Sequence, residues 1–152
     1  WWQGKPLWEI TQAEWDRFFV DLTTAHVATV RAWIPRLPDA GSYQLILGGS
    51  AFMPVPGASI INMEQAALLM MRQVLAAEVG DQRRVFAQVL GPVDARGRQW
   101  TDPDWVSSAE VGLVSTALAA DTSVASTDFQ HLRKEDILAT LRTLHAYPEA
   151  SA

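Results

Sequence analysis

The chain has 152 residues, 49% hydrophobic and 19% charged, a balance that suits one globular domain rather than a disordered chain. Its net charge of -5 disfavours a nucleic-acid partner, which needs a positive footprint to displace counterions. There is no cysteine, which excludes disulfides and thiolate metal sites and is compatible with a cytoplasmic protein; no apolar run is long enough for a bilayer, no signal peptide is visible, and no membrane partner is expected.

The sequence opens Trp1-Trp2 without a Met, which reads as the start of a processed or trimmed chain. Seven Trp are expected to mark cores and interfaces, because indole buries a large area. Thr11-Gln12-Ala13-Glu14 fits a capping box, and a long helix is predicted over 13–34, stopped by Pro35 and Pro38. Tyr43–Leu47 reads as a short buried strand, ended by Gly48-Gly49-Ser50 and a Pro/Gly-rich loop to Ser59. A helix rich in Ala, Leu and Met is predicted over 60–79, with Gly80 to end it. Val85–Leu90 is a second strand, closed by Gly91-Pro92. Ser107-Ser108-Ala109-Glu110 is a second capping box, opening a helix to about Ala120. Residues 121–132 read as irregular, 133–145 as a last helix, and 147–152 as a loose tail. Two apolar strands linked by a helix suggest a right-handed parallel crossover, hence an α/β doubly wound parallel sheet. Two such strands cannot make a stable sheet alone.

This pattern resembles the short-chain dehydrogenase/reductase family. Ala13–Arg17 looks like the start of that family's fourth helix, Gly41–Ser50 like its fifth strand and turn. Pro54–Gly57, Gln65–Leu68 and Ala76–Glu78 resemble the loop and helix carrying its catalytic Tyr and Lys. Gln88–Val93 resembles its sixth strand and Pro-Gly turn. The match covers roughly residues 5–120. It implies a Rossmann-like fold, incomplete in this chain and spanning 1–152 as a single partial domain, with NAD(P) as the cofactor. The family's Gly-rich phosphate turn lies in its first strand–helix connection, and this sequence holds no such segment.

The resemblance also places the chemistry. The family's Tyr falls on Ile61 and its Lys on Gln65; its Ser falls on Gly48 or Gly49, with Ser50 adjacent; its Asn falls on Leu22 or, with a slip, Asp21. Ile61 cannot transfer a proton, and Gln65 lacks the charge that lowers the Tyr pKa. The sequence therefore points to loss of the standard redox chemistry and to a non-catalytic or atypical nucleotide- or small-molecule-binding subunit. This also counts against NAD(P). The alternative is an oxidoreductase or other enzyme with substituted groups, for which Asp21, His26 and Ser50 are the weak candidates. Gly91, Pro92 and Val93 are the residues that would border a cofactor.

Other features carry less. His26, His131 and His145 lack metal-ligand spacing, so no metal is expected. His26 is read as packed or solvated, with proton transfer alongside Asp21 as the sharper option, although five residues separate them. Gly48-Gly49-Ser50 fails the nucleophile-elbow pattern, since position 52 is Phe. Met63, Met70 and Met71 read as packing residues, Arg83-Arg84 as a solvated strand entry. Arg96 and Arg98 lie in the loop that borders cofactor and substrate in the family resembled, and the resemblance implies an acidic ligand as the option beside plain solvation. Apolar residues around helix 60–79 predict a second covered side. A homodimer, or a dimer of heterodimers, follows, which Glu at Met70 and Gln73 would split. An amino-terminal segment carrying the first four strands is expected to complete the sheet, either attached or cleaved before Trp1. Trp1 and Trp2 would then follow the fourth strand at the ligand-binding edge.

Overall fold

The computed structural model describes residues 3–146; the expectations for Trp1, Trp2 and the tail lie outside them. Thr11 accepts from the Glu14 amide and Glu14 reaches back to Thr11, so the capping box forms as read. It opens one helical run: α1 (Gln12–Trp15), a π-turn over Asp16–Val20, and α2 (Asp21–Trp33). The wide turn is closed by the Asp21 amide donating to the Asp16 carbonyl.

β1 (Ser42–Gly48) and β2 (Arg84–Leu90) pair in parallel, from Ser42 opposite Arg84 to Gly48 opposite Leu90. α3 (Ser59–Val79) links them. It stops at Gly80, whose φ of +53° is a conformation that other residues resist. α4 (Ser108–Ala120) starts at the Ser107/Glu110 capping box, as predicted.

The segment after α4 corrects the sequence reading. Residues 121–132 are not all irregular: Asp128–His131 is a third parallel strand. It pairs with β2 from Ala87 opposite Asp128 to Leu90 opposite His131. Its polar residues and four-residue length hid it. A two-residue ladder joins Val93–Asp94 to Val106–Ser107, so the strands in chain order are β1, β2, β3 (Val93–Asp94), β4 (Val106–Ser107) and β5 (Asp128–His131). The main sheet runs β1-β2-β5, and α5 (Lys134–Thr143) closes the described chain.

The layers follow from side-chain alternation. Leu45, Leu47, Ala87 and Val89 pack under Leu68 of α3. Phe86, on the opposite face, packs with Val114 and Leu118 of α4 and Ile137 and Leu141 of α5. Helices thus cover both faces of a parallel sheet, the doubly wound arrangement, seen here with three strands.

The expectation that both strands are buried along their length holds only for β2, every residue of which is buried. β5 covers the second edge of β2, an edge the two-strand reading left open. Among the described residues β1 has a strand neighbour on one edge only, and Ile46 is 50% exposed. The Trp expectation also fails in the core: none of the five described Trp is buried, and Trp8, Trp33 and Trp100 are mostly exposed.

Candidate functional site

Parallel sheets place ligands beyond the carboxyl ends of their strands, and here those ends converge with the start of α3. β1 ends at Gly48, and a single 3-10 turn follows over Gly49–Ala51. Asn62 on α3 staples the loop. Its amide donates to the carbonyls of Ser50 (2.7 Å) and Met53 (2.7 Å) and accepts from the Val55 amide (3.1 Å). Ile61, the residue before it, lines the cavity beside β1 and clusters with Ile60, against which Ile10, Phe18 and Phe19 pack.

Gln65 sits one helical turn further on. Its carbonyl accepts from the Gly48 amide (2.6 Å) and its amide donates to the Glu64 carboxylate (2.5 Å). Glu64 is 1% exposed, and no Lys, Arg or His forms an ion pair with it among the described residues. The Ser50 hydroxyl is buried without a hydrogen-bond partner. It lies 3.4 Å from where a side chain at Gly48 would begin. A side chain at Gly49 would instead start 2.5 Å from the Met53 methyl. Of the two positions reached by counting back from Ile61, 48 therefore opens toward the site, and Ser50 supplies a hydroxyl beside it.

Two adjoining cavities share Gly48, Ser50, Leu90 and Gly91. One, about 430 Å³, runs beside the open edge of β1 and is lined by Leu22, His26, Ile46, Ile61, Glu64 and Gln65 among others. The other, about 620 Å³, lies over the strand ends between Met53, Val55, Pro92, Arg98 and Trp105. The structure thus brings together Leu22, His26, Ser50, Ile61, Gln65, Gly91 and Val93 on the first cavity, and Gly49 and Pro92 on the second. Asp21 lines neither, so its pairing with His26 at this site is not formed. Arg98 reaches the second cavity; Arg96 does not.

Neither lining contains a Tyr or a Lys. Tyr43 is near the opposite end of β1, where burial raises its phenol pKa. Glu64 and Asn62 were missed from the sequence. Both lie within one turn of positions 61 and 65, and a carboxylate and an amide flanking a catalytic register are the signal that could have found them. Among the described residues, no group of three His, Cys, Asp or Glu side chains could hold a metal, and no helix is long and apolar enough to cross a membrane.

The fold has well-matched counterparts among solved structures. The landomycin C-6 ketoreductase LanV with bound NADP and rabelomycin superposes with a TM-score of 0.73 at 17% identity, over 86% of this chain and 56% of that one. A short-chain dehydrogenase from Burkholderia cenocepacia in complex with NADP gives 0.72 at 18% identity, over 86% and 60%. A short-chain oxidoreductase from Pseudomonas aeruginosa, described as containing an atypical catalytic centre, gives 0.71 at 15%, over 86% and 62%. The chain has the Rossmann-like fold of short-chain dehydrogenase/reductase structures and spans under two thirds of their length. No family model matches the sequence, and no curated protein matches it.

The residues present test the nicotinamide cofactor that this fold implies. Gly91 and Val93 border the first cavity and Pro92 the second, so the turn after β2 fits as a wall. The Gly91 amide, however, is committed to the His131 carbonyl (2.9 Å), and a side chain at Gly91 would start 2.0 Å from the Leu132 carbonyl. Packing against the chain after β5 is therefore enough to require glycine there. The Tyr and Lys that the resemblance expects at 61 and 65 are absent. Ile61 has no polar atom, and the Gln65 amide is occupied by Gly48 and Glu64.

Proposed function

We propose that this chain is the carboxy-terminal part of a Rossmann-like domain that binds a small molecule or nucleotide and has lost the Tyr/Lys hydride chemistry of its structural relatives. The observation that carries this reading is the Gly48–Gln65–Glu64 chain of hydrogen bonds beside Ile61. It fills the catalytic register with groups that neither donate a phenolic proton nor hold a ribose by charge. The test is hydride transfer by the intact natural polypeptide, followed at the nicotinamide absorbance with NADH and NADPH and a panel of carbonyls. No turnover is expected. Robust turnover that disappears with Ser50→Ala or His26→Ala would overturn the reading. It would favour the second one, an oxidoreductase with substituted groups, which rests on the Ser50 hydroxyl beside Gly48.

Assembly belongs to the same proposal. The free edge of β1 and the half-exposed Ile46 support a neighbouring segment carrying further strands. The outer faces of α2 and α3, with Leu22, Val27, Met70 and Val74 exposed, support pairing with a second copy. Light scattering on the intact polypeptide should give a dimer and the Met70→Glu variant a monomer; a wild-type monomer at micromolar concentration would defeat the pairing. The cytoplasm is the compartment this reading assigns.

A further inference from the structure

We infer that the larger cavity over the strand ends is built for an apolar molecule carrying a carboxylate, with Arg98 as the residue that selects the anion. The inference names the ligand class of the binding site proposed above and rests on that reading.

The cavity wall is mostly hydrocarbon: Met53, Val55, Leu90, Pro92 and the Trp105 ring. Such a surface rewards an apolar body at roughly 25 cal/mol per Å² removed from water. Arg98 is the one charged residue in the lining. Its guanidinium lies over the Trp105 ring, 5.1 Å from the centroid, and Trp100 meets Trp105 edge-on with centroids 4.9 Å apart. Contact with the ring restrains an otherwise mobile side chain without using its N–H donors in a recorded ion pair. No carboxylate pairs with Arg98 among the described residues. A planar fork without a protein anion is suited to bidentate binding of a carboxylate.

The floor supplies a second, independent pointer. Ser50 is 7% exposed, lines this cavity, and its hydroxyl has no partner. A buried hydroxyl left unpaired costs on the order of 1–3 kcal/mol, which a ligand hydroxyl or carbonyl would relieve. The cavity thus offers an apolar middle between a hydrogen-bonding floor and a cationic mouth.

The experiment titrates the intact natural polypeptide with 4-phenylbutyrate and, separately, with 4-phenylbutanol, read by calorimetry and by Trp fluorescence. No nicotinamide is present, so the outcome is independent of the hydride assay. The acid is expected to bind about tenfold more tightly than the alcohol, which is about 1.4 kcal/mol. Arg98→Leu should remove that preference. Because Arg98 is exposed, the variant should fold normally. Equal binding of acid and alcohol, an Arg98→Leu variant that keeps the preference, or no binding of either at millimolar concentration would overturn the inference. Discovery of nicotinamide-dependent turnover would instead overturn the functional reading and leave the carboxylate preference standing.

Discussion

The two ends of the same sheet treat buried polar groups in opposite ways. At the amino-terminal end, Arg84 opens β2 and is buried, yet every nitrogen of its guanidinium donates. It donates to the carbonyls of Ala40 (2.9 Å), Leu118 (2.7 Å), Asp121 (2.6 Å) and Ala119 (3.3 Å). Two of those acceptors are in the last turn of α4, whose terminal carbonyls have no partner within the helix and carry the negative end of its dipole. At the carboxy-terminal end, Glu64 has one neutral partner and Ser50 none. At one end the buried cation is met by hydrogen bonds on every nitrogen; at the other the Ser50 hydroxyl has no partner and Glu64 has one. The difference marks the first as an anchor and supports the proposal that a ligand or partner completes the bonding at the second.

The anchor should break hardest. Arg84→Met removes the guanidinium and leaves several buried carbonyls orphaned, so urea unfolding of the intact polypeptide should show a loss on the order of 4 kcal/mol. A loss under about 1 kcal/mol would mean that water replaces the clamp. Next is the pair joining α3 to β5, in which buried Arg72 donates to the Asp128 carboxylate. Removing one partner of a buried pair typically costs about 3 kcal/mol. Arg72→Met should therefore destabilise by about that amount, and Arg72→Met with Asp128→Leu should recover part of it. A double variant no more stable than the single would refute the pair's coupling.

His131 is the amino acid through which pH reaches this comparison. It is the last residue of β5, with no exposed surface, stacked on Phe129, and its Nε2 is 3.0 Å from the Thr140 hydroxyl. Burial lowers its pKa from 6.5 to about 4, against the opposing pull of Asp136. A folded pKa below the unfolded one means the stabilisation is complete above about pH 6.5 and is lost as pH falls toward about 4. Over that window the wild type should lose roughly 3 kcal/mol that a His131→Phe variant does not. Parallel pH profiles for the two proteins would contradict the assignment.

Much of this frame was legible in the sequence. Capping boxes, the Gly80 stop and the two long apolar strands follow from local chemistry, and each lies where it was read. β5 was not legible, because Asp128, Gln130 and His131 break any apolar run; the strand is held by its ladder to β2 and by Arg72. Arg84 was misread as a solvated strand entry. Sequence shows a cation before a strand, but only the return of α4 brings the carbonyls that satisfy it. At the site, positions 61 and 65 were found through a resemblance in spacing. Glu64 was not, because its burial depends on how α3 is rotated against β1.

Glu64 gives the smallest expected effect and the only one with the opposite sign. Its carboxylate is desolvated and accepts a single recorded hydrogen bond, from Gln65. A carboxyl in that setting has given up its hydration for one hydrogen bond, with no cation beside it among the described residues. Glu64→Gln keeps the shape and an oxygen to accept from Gln65, and removes the charge. The intact polypeptide should therefore gain about 1 kcal/mol, whereas Arg84→Met at the other end loses several. Urea midpoints of the two variants, measured together at pH 7, decide the matter. A gain with Glu64→Gln identifies a group held against stability, as sites kept open for binding require. A loss of more than about 2 kcal/mol would show that a cation from a neighbouring segment already meets Glu64. The two ends of the sheet would then be alike, and the reserve of bonding capacity at the strand ends would rest on Ser50 alone.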